Sequence, residues 1–199
     1  HSLRKNRPAV AVIGHTAWPP DSAPTRFMKY VGEQGWQFGF ALIDDPENVP
    51  FNFFYSSNIS LARGLLTAEG GFDEEFPECN WEDIELGWRL KKRGMQLVYE
   101  REAKAYHYHP TSLASFALRQ RKVGRSAWTF YRKHPEMAEF LGVMNVREYS
   151  MAHRLRMKLL TWLCRLTERS QRPDFSRYYP ELMSYYYFVG ILESRTAFL

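Results

Sequence analysis

The sequence predicts an α/β domain followed by a helical extension, and three observations lead to this prediction. Short apolar, β-branched segments alternate with helical patterns over the first two-thirds of the chain. From Thr111 onward helical patterns dominate, with breaks at Pro135 and Pro173. The 199 residues are 45% hydrophobic and 16% aromatic, which is enough to bury a substantial core. We therefore expect a domain over residues 1–135 and a helical extension over residues 136–199.

The expected strands are short apolar segments bounded by turn residues. In chain order they are residues 8–14 (PAVAVIG), 36–43 (WQFGFALI), the aromatic start of 51–63 (FNFFYSSNISLAR), 95–100 (MQLVYE) and 103–109 (AKAYHYH). The remainder of residues 15–50 is rich in Pro and Gly, which predicts loops.

Two helices are expected between these strands. Residues 61–69 form a short helix that Gly70 and Gly71 close, because glycine readily takes the left-handed conformation at a helix end. A second helix begins with Asn80 as its N-cap, runs to about residue 93 and ends at Gly94.

The second helix, WEDIELGWRL over residues 81–90, places three carboxylates within an apolar segment. Trp81, Ile84 and Trp88 are predicted to share one side of it. Glu85 and Arg89 are four residues apart, in the order that favours an ion pair. Glu82 and Asp83 have two possible roles. In the structural one they are first-turn acids, with Asp83 capping back toward Asn80.

In the functional alternative, Asp83 is a general base. A carboxylate in the first turn is kept ionised by unpaired backbone N–H groups and by the helix dipole. Neighbouring tryptophans exclude water and offer flat faces on which sugar rings stack. A base must be ionised, oriented and close to the proton it removes, and Asp83 meets these conditions.

The sequence context favours the functional alternative through four motifs in a characteristic order. They are FFYSSNISLAR (53–63), GGFDEEF (70–76), WEDIELGWRLKKRG (81–94) and AYHYH (105–109). Together they resemble the C-terminal half of family 2 glycosyltransferases, over roughly residues 8–130. These are inverting enzymes with the GT-A fold that use nucleotide-sugar donors.

The resemblance implies roles for individual residues. Asp83 would deprotonate the acceptor hydroxyl, and three residues would contact the acceptor: Glu82, Trp81 and Asn58. Gly70 and Gly71 would line the donor-sugar site, where glycine permits close approach of a ligand. His107, with His109 as the second candidate, would complete a site for Mn²⁺ or Mg²⁺ at the donor diphosphate. The two histidines also allow a plain alternative, as polar residues closing a strand.

The implied partners are a nucleotide-sugar donor and a saccharide or lipid-linked acceptor, with no nucleic acid. The family's nucleotide-binding unit and its Asp-x-Asp metal motif have no counterpart in the sequence. Asp44 and Asp45 precede Pro46 and are interpreted as a turn. We therefore expect the chain to be the C-terminal half of a larger enzyme and to bind nucleotide weakly when isolated.

The charge is unevenly distributed along the chain. Residues 1–99 carry 10 Lys+Arg and 13 Asp+Glu, whereas residues 100–199 carry 17 and 9. A basic half favours an anionic partner or is simply a solvated face. Within it, residues 151–172 predict an amphipathic helix, either packed on the domain or lying on an anionic membrane. No apolar run is long enough to span a membrane, and Cys79 and Cys164 form no disulfide framework, which fits a cytoplasmic setting.

Two other function classes remain open from the sequence alone. One is a non-catalytic sugar-binding remnant that keeps the acceptor pocket. The other is a basic nucleic-acid-binding module, suggested by pI 9.2 and by aromatics interleaved with basic residues over 119–131. The second leaves Glu82, Asp83 and His107 without a role.

Overall fold

A computed structural model describes residues 9–76, 80–168 and 173–197 of the chain. It is a mixed α/β protein, as predicted, and it divides into two compact units. Among the described residues, unit 1 contains 9–24, 29–74 and 82–109, and unit 2 contains 25–28, 75–76, 80–81, 110–168 and 173–197. The predicted domain boundary after residue 135 falls inside unit 2, so the division into a domain and an extension stays a prediction.

Unit 1 is built on a three-stranded sheet with β1 at its centre. Strand β1 (Val10–Ala17) pairs antiparallel with β2 (Ile59–Ser60) and parallel with β3 (Gln96–Tyr106). The prediction of separate strands at 95–100 and 103–109 is wrong, because β3 is continuous from Gln96 to Tyr106. The pairing shifts at one point: Gly14 lies opposite Glu100, but His15 lies opposite Lys104. The β3 residues between Glu100 and Lys104 form a bulge, which lets the strand continue through this polar stretch.

Two further expected strands are short 3-10 helices instead. They lie at Gly39–Leu42 and Phe51–Phe53, and a third 3-10 helix at Ser56–Asn58 precedes β2. Their aromatic side chains reach the core from turns rather than from a paired strand. The core of unit 1 is a cluster of buried side chains that consists of Ala11, Ile13, Phe40, Val49, Phe53, Phe54, Leu86, Leu90, Met95 and Leu97.

The remaining parts of unit 1 follow the local sequence signals more closely. Helix α2 (Arg63–Ala68) ends before Gly70 and Gly71, whose φ angles are 74° and 79°, as the glycine pair predicts. Helix α3 (Glu82–Lys92) ends before Gly94. Asp45 accepts a hydrogen bond from the Glu47 N–H at 3.0 Å, which confirms the predicted turn. Residues 15–50, which were expected to be mostly loops, also contain helix α1 (Arg26–Glu33), which contributes residues to both units.

Gly87 allows α3 to pack closely on the segment that begins at Phe51. A Cβ atom at Gly87 would lie 2.6 Å from the Phe54 Cβ and 3.0 Å from the Phe51 carbonyl oxygen. We expect Gly87→Ala to destabilise the protein by about 1–2 kcal/mol, because the clash outweighs the helix propensity gained. Gly64→Ala in α2 is the matched control, since nothing lies within 4 Å of its added methyl group. Urea denaturation compares the two, and a Gly87→Ala protein as stable as Gly64→Ala would contradict the packing described.

Unit 2 is helical, as predicted for the region after Thr111. It contains α4 (Leu113–Lys133), α5 (Met151–Thr167) and α6 (Tyr179–Ala197). Ser112 caps α4 by accepting from the Ser115 N–H. The expected breaks are observed, since α4 stops before Pro135 and α6 begins after Pro173. The end of the predicted 151–172 helix, residues 169–172, lies outside the described residues.

The interior of unit 2 is formed mainly where α4 packs against α6. Its large buried side chains include Phe27, Leu113, Phe116, Phe130, Leu141, Tyr179, Leu182 and Met183. Cys164 is buried with a free thiol, and Cys79 lies outside the described residues. None of the described helices is long and apolar enough to cross a membrane.

Candidate functional site

Helix α3 begins one residue later than the sequence predicts. Helix α3 starts at Glu82, and Trp81 before it has a φ of 73°. A bulky residue in the left-handed region is uncommon and must be held there by its surroundings. The prediction that Asn80 is the N-cap, with Asp83 capping back toward it, is therefore wrong. Glu82 and Asp83 are the first two residues of the helix.

The conformation of Trp81 is stabilised by packing within unit 2. Its indole Nε1 donates to the Val123 carbonyl oxygen at 3.1 Å. Phe130 and Phe140 lie edge-on to the ring, with centroids at 6.1 and 5.8 Å. The prediction that Trp81 shares a side of α3 with Ile84 and Trp88 is therefore wrong. The buried positions of α3 are Glu85, Leu86, Gly87 and Leu90. The contact of Trp81 with an acceptor stays a prediction.

Asp83 is half-buried at the start of α3, and its carboxylate is held by three donors. Its Oδ1 accepts from the Ile84 N–H at 2.8 Å. Its Oδ2 accepts from the Ser56 N–H at 3.0 Å and from the Ser56 hydroxyl at 3.3 Å. Both oxygens are thus fixed in place while retaining lone pairs for another proton donor. Glu82 lies immediately before it and is also half-buried.

The environment of Asp83 makes its carboxylate more basic than usual. Burial raises its pKa, although the hydrogen bonds from Ser56 and Ile84 oppose the rise. No basic side chain of the described residues contributes to the shift. The neighbouring Tyr55 has its pKa raised to about 12, first by burial and then by the Asp83 charge. A fixed carboxylate with a raised pKa can accept a proton from a hydroxyl group more readily than an ordinary aspartate.

Ser56→Ala tests whether the Ser56 hydroxyl stabilises the ionised form of Asp83. Because that hydroxyl stabilises the charged form, we expect Ser56→Ala to raise the pKa of Asp83 further. Ser57→Ala is the control, since the Ser57 hydroxyl lies 3.3 Å from the Thr16 hydroxyl instead. Titration of the Asp83 side chain by carbon-detected NMR measures both variants. An unchanged or lowered pKa in Ser56→Ala would show that the hydroxyl does not stabilise the carboxylate.

The predicted ion pair between Glu85 and Arg89 is confirmed and has a further role. The Arg89 Nε donates to both oxygens of the buried Glu85 carboxylate, at 2.8 and 3.0 Å. Its terminal nitrogens donate to the carbonyl oxygens of Glu69 at 2.5 Å and Gly71 at 2.7 Å. Arg89 thereby connects α3 to the Gly70–Gly71 turn. The i,i+4 spacing predicted the ion pair, but no local signal predicts the contacts to the turn.

Both glycines of that turn border open space. A Cβ atom added at Gly70 or Gly71 would have nothing within 4 Å, so a ligand has room to approach the backbone there. This arrangement is compatible with the predicted role in binding a donor sugar, which stays a prediction.

Asn58 lies at the bulge between β1 and β3. Its side-chain nitrogen donates to the Ala103 carbonyl oxygen at 2.7 Å and to the His15 carbonyl oxygen at 3.3 Å. A Cβ atom at Gly14 would overlap this amide group. Asn58 therefore has a structural function in addition to any contact with an acceptor. No local sequence signal indicates that function, because the partners are more than 40 residues away along the chain.

His107 and His109 lie just beyond the end of β3. Their ring centroids are 5.9 Å apart and their planes are nearly perpendicular. His107 also packs edge-on against Trp18 and Phe38, with centroids at 5.9 Å in each case. Its backbone N–H donates to the Ala17 carbonyl oxygen at 2.8 Å. The structure thus brings the two imidazoles together, although β3 ends at Tyr106 and neither histidine lies within it.

The two histidines alone do not make a metal site within the described residues. Over residues 9–76, 80–168 and 173–197, no three His, Cys, Asp or Glu side chains are grouped so that they could hold a metal ion. Two neutral imidazoles suit a transition metal such as Mn²⁺, but a complete site needs further oxygen ligands. The metal therefore stays a prediction.

Comparison with known proteins finds similarity to enzymes that transfer sugars. The chain is 29% identical to validoxylamine A glucosyltransferase of Streptomyces hygroscopicus subsp. jinggangensis over 160 residues, which cover 73% of this chain and 35% of that protein. It is 41% identical over 63 residues to chondroitin synthase of Escherichia coli, covering 32% and 9% of the two chains. For hyaluronan synthase of Pasteurella multocida, the identity is 39% over 61 residues, covering 31% and 6%.

The chain spans about a third or less of the length of these relatives. No known protein-family profile matches it. The similarity nevertheless extends over most of the chain in the validoxylamine A glucosyltransferase alignment. The homologues of this chain are therefore glycosyltransferases.

Proposed function

We propose that this chain forms the acceptor-side half of an inverting, family 2 glycosyltransferase with the GT-A fold. In this proposal it acts in transfer of a sugar from a nucleotide-sugar donor to a saccharide or lipid-linked acceptor. The observation that carries the proposal is the Asp83 carboxylate, which is oriented by Ser56 and Ile84 and has a pKa raised by burial.

The proposed reaction is a single displacement. The acceptor hydroxyl oxygen forms a bond to the anomeric carbon while the bond from that carbon to the donor phosphate oxygen breaks. The nucleoside diphosphate leaves with the bonding electrons, and the hydroxyl proton passes to the Asp83 carboxylate. Because attack and departure occur on opposite faces, the anomeric configuration inverts.

Other residues of unit 1 supply positions around the base in this proposal. Glu82, next to Asp83, binds a neighbouring acceptor hydroxyl. The Asn58 amide nitrogen is used within the sheet bulge, so its carbonyl oxygen is the atom that would accept from the acceptor sugar. Gly70 and Gly71 border the donor sugar, and Arg89 fixes their turn relative to α3.

We further propose that His107 contributes to a Mn²⁺ or Mg²⁺ site, with donor diphosphate oxygens among the remaining ligands. When bound, the ion would neutralise the charge of the leaving diphosphate. The support is the paired imidazoles beyond β3 and the order of the sequence motifs.

His107→Ala tests the metal assignment in an active enzyme that contains this chain. We expect at least a tenfold rise in the Mn²⁺ concentration needed for half-maximal transfer, since mutation near a metal site commonly costs about 10–100-fold in affinity. His109→Ala, at the exposed neighbouring position, should have a smaller effect. Unchanged metal dependence and turnover in His107→Ala would show that this residue is not a ligand.

The function as a whole is tested by incubating the enzyme with a panel of nucleotide sugars and saccharide acceptors. Proton NMR of the product gives its anomeric configuration. We expect transfer with inversion. Retention would contradict the single displacement, and acceptor binding without transfer by any donor would identify a sugar-binding remnant instead.

A further inference from the structure

Helix α5 carries an apolar stripe that faces away from the interior of unit 2. Five large hydrophobic side chains on it are between 55% and 71% exposed: Met151, Leu155, Leu159, Trp162 and Leu166. At about 100° per residue, these five positions fall within an arc of roughly 80° on the helix surface. The buried side chains of α5, namely Met157, Leu160 and Cys164, lie on the opposite side. The stripe is therefore a second apolar face and not part of the core.

The charges of α5 are all of one sign. The helix contains four basic residues, Arg154, Arg156, Lys158 and Arg165, and no Asp or Glu. By the same helical geometry, Arg154, Lys158 and Arg165 lie together along one edge of the stripe. All three are exposed. Arg156 lies toward the other flank and pairs with Glu181 at 3.0 Å.

We propose that this face of α5 docks on an anionic lipid surface, with the helix lying parallel to the bilayer plane. A central apolar stripe that includes a tryptophan and is flanked by basic residues is the pattern of helices that lie at the membrane interface. The aliphatic and indole side chains enter the boundary between headgroups and acyl chains. Arg154, Lys158 and Arg165 contact lipid phosphates at its edge.

A second copy of this chain is a poorer occupant for electrostatic reasons. In a twofold-symmetric contact the same patch meets itself, so the basic edges of the two helices would approach one another. Such like-charge contacts oppose association. A nucleic acid is also less suitable, because the centre of the exposed face is mainly aliphatic, whereas phosphate contacts require basic groups there.

Vesicle co-sedimentation of the 199-residue chain tests this docking surface. One set of vesicles contains phosphatidylglycerol and phosphatidylcholine in equal amounts, and the other contains phosphatidylcholine alone. We expect binding to the anionic vesicles, weaker binding to the neutral ones, and weakening at higher ionic strength.

Paired variants separate the apolar and the charged contributions. We expect Trp162→Gln to weaken binding about tenfold or more, whereas Leu118→Gln on α4, which is 60% exposed, leaves binding unchanged. Lys158→Gln and Arg165→Gln should each weaken it about fivefold, and the exposed Arg147→Gln should have little effect. Circular dichroism establishes that each variant is folded.

Several outcomes would overturn the proposal. One is that the folded protein does not bind anionic vesicles. Another is that Trp162→Gln and Leu118→Gln bind equally well. A concentration-dependent dimer that Trp162→Gln dissociates, without vesicle binding, would assign the stripe to a second copy of the chain.

Discussion

Asp83→Asn is expected to reduce glycosyl transfer by about 10²–10⁴-fold in an active enzyme that contains this chain, because the amide cannot take the acceptor proton. The asparagine keeps the size of the side chain, and its oxygen can still accept a hydrogen bond from the Ile84 or Ser56 N–H. Folding and donor binding should therefore change little. Steady-state kinetics and melting temperature, measured on the same preparation, provide the comparison.

The stability of this variant distinguishes a catalytic Asp83 from a merely structural one. Because burial raises the pKa of Asp83 in the folded state, the folded protein binds this proton more tightly than the unfolded chain. The contribution of this carboxyl group to stability therefore falls as pH rises from its unfolded pKa through its folded pKa. At neutral pH the ionised form weakens folding, so the neutral amide should not destabilise the protein through its charge.

A structural helix-start acid would behave in the opposite way. It would lose about 1 kcal/mol of stability on conversion to Asn and keep its turnover per folded molecule. Asp45→Asn is the matched control, since Asp45 caps an exposed turn. Full transfer activity in Asp83→Asn would remove Asp83 from the proposed mechanism.

Gly124→Ala is expected to produce the largest loss of stability, about 3 kcal/mol or more. Helices α4 and α6 approach so closely that a Cβ atom at Gly124 would overlap the Tyr187 carbonyl oxygen. A Cβ atom at Gly190 would likewise overlap the Arg121 carbonyl oxygen on the facing helix. Since backbone atoms cannot rotate away as side chains do, the added methyl group must separate the two helices.

Thermal denaturation measures this effect. For a chain of this size we expect a fall in melting temperature of roughly 6–12 °C. Leu118→Ala on the exposed side of α4 is the control and should change stability by about 0.5 kcal/mol or less. If Gly124→Ala is as stable as the control, α4 and α6 do not cross at this glycine.

Sequence reasoning located the ends of helices α2 and α3 because those signals are local, whereas helix α1 was missed. The glycine pair at 70–71 predicted the end of α2, Gly94 predicted the end of α3, and the Glu85–Arg89 spacing predicted their ion pair. Each of these depends on neighbours within a few residues along the chain.

The errors arose where distant residues determine the local structure. Strand β3 is continuous because the bulge opposite Gly14 and His15 absorbs its polar residues. Helix α3 starts at Glu82 because Trp81 is held in the left-handed region by partners about 40 to 60 residues further along the chain.

The same limit applies to the candidate site. The motif order directed attention to Asp83, but it did not reveal the two donors from Ser56, which is 27 residues away. It also did not reveal that Arg89 contacts the Gly70–Gly71 turn. Both sets of contacts depend on the packing of α3 against residues distant in the chain, which are Ser56 before β2 and the turn after α2.

The most direct test that Asp83 is the general base is the pH dependence of kcat/KM for wild type and Asp83→Asn, measured together. A base must be ionised, so the wild-type value should fall about tenfold per pH unit below the pKa of Asp83. Burial should place that decline at a higher pH than for an ordinary aspartate. We predict that the residual activity of Asp83→Asn is flat over the same range. An identical acidic decline in both proteins would contradict the account, because another group would then be the base.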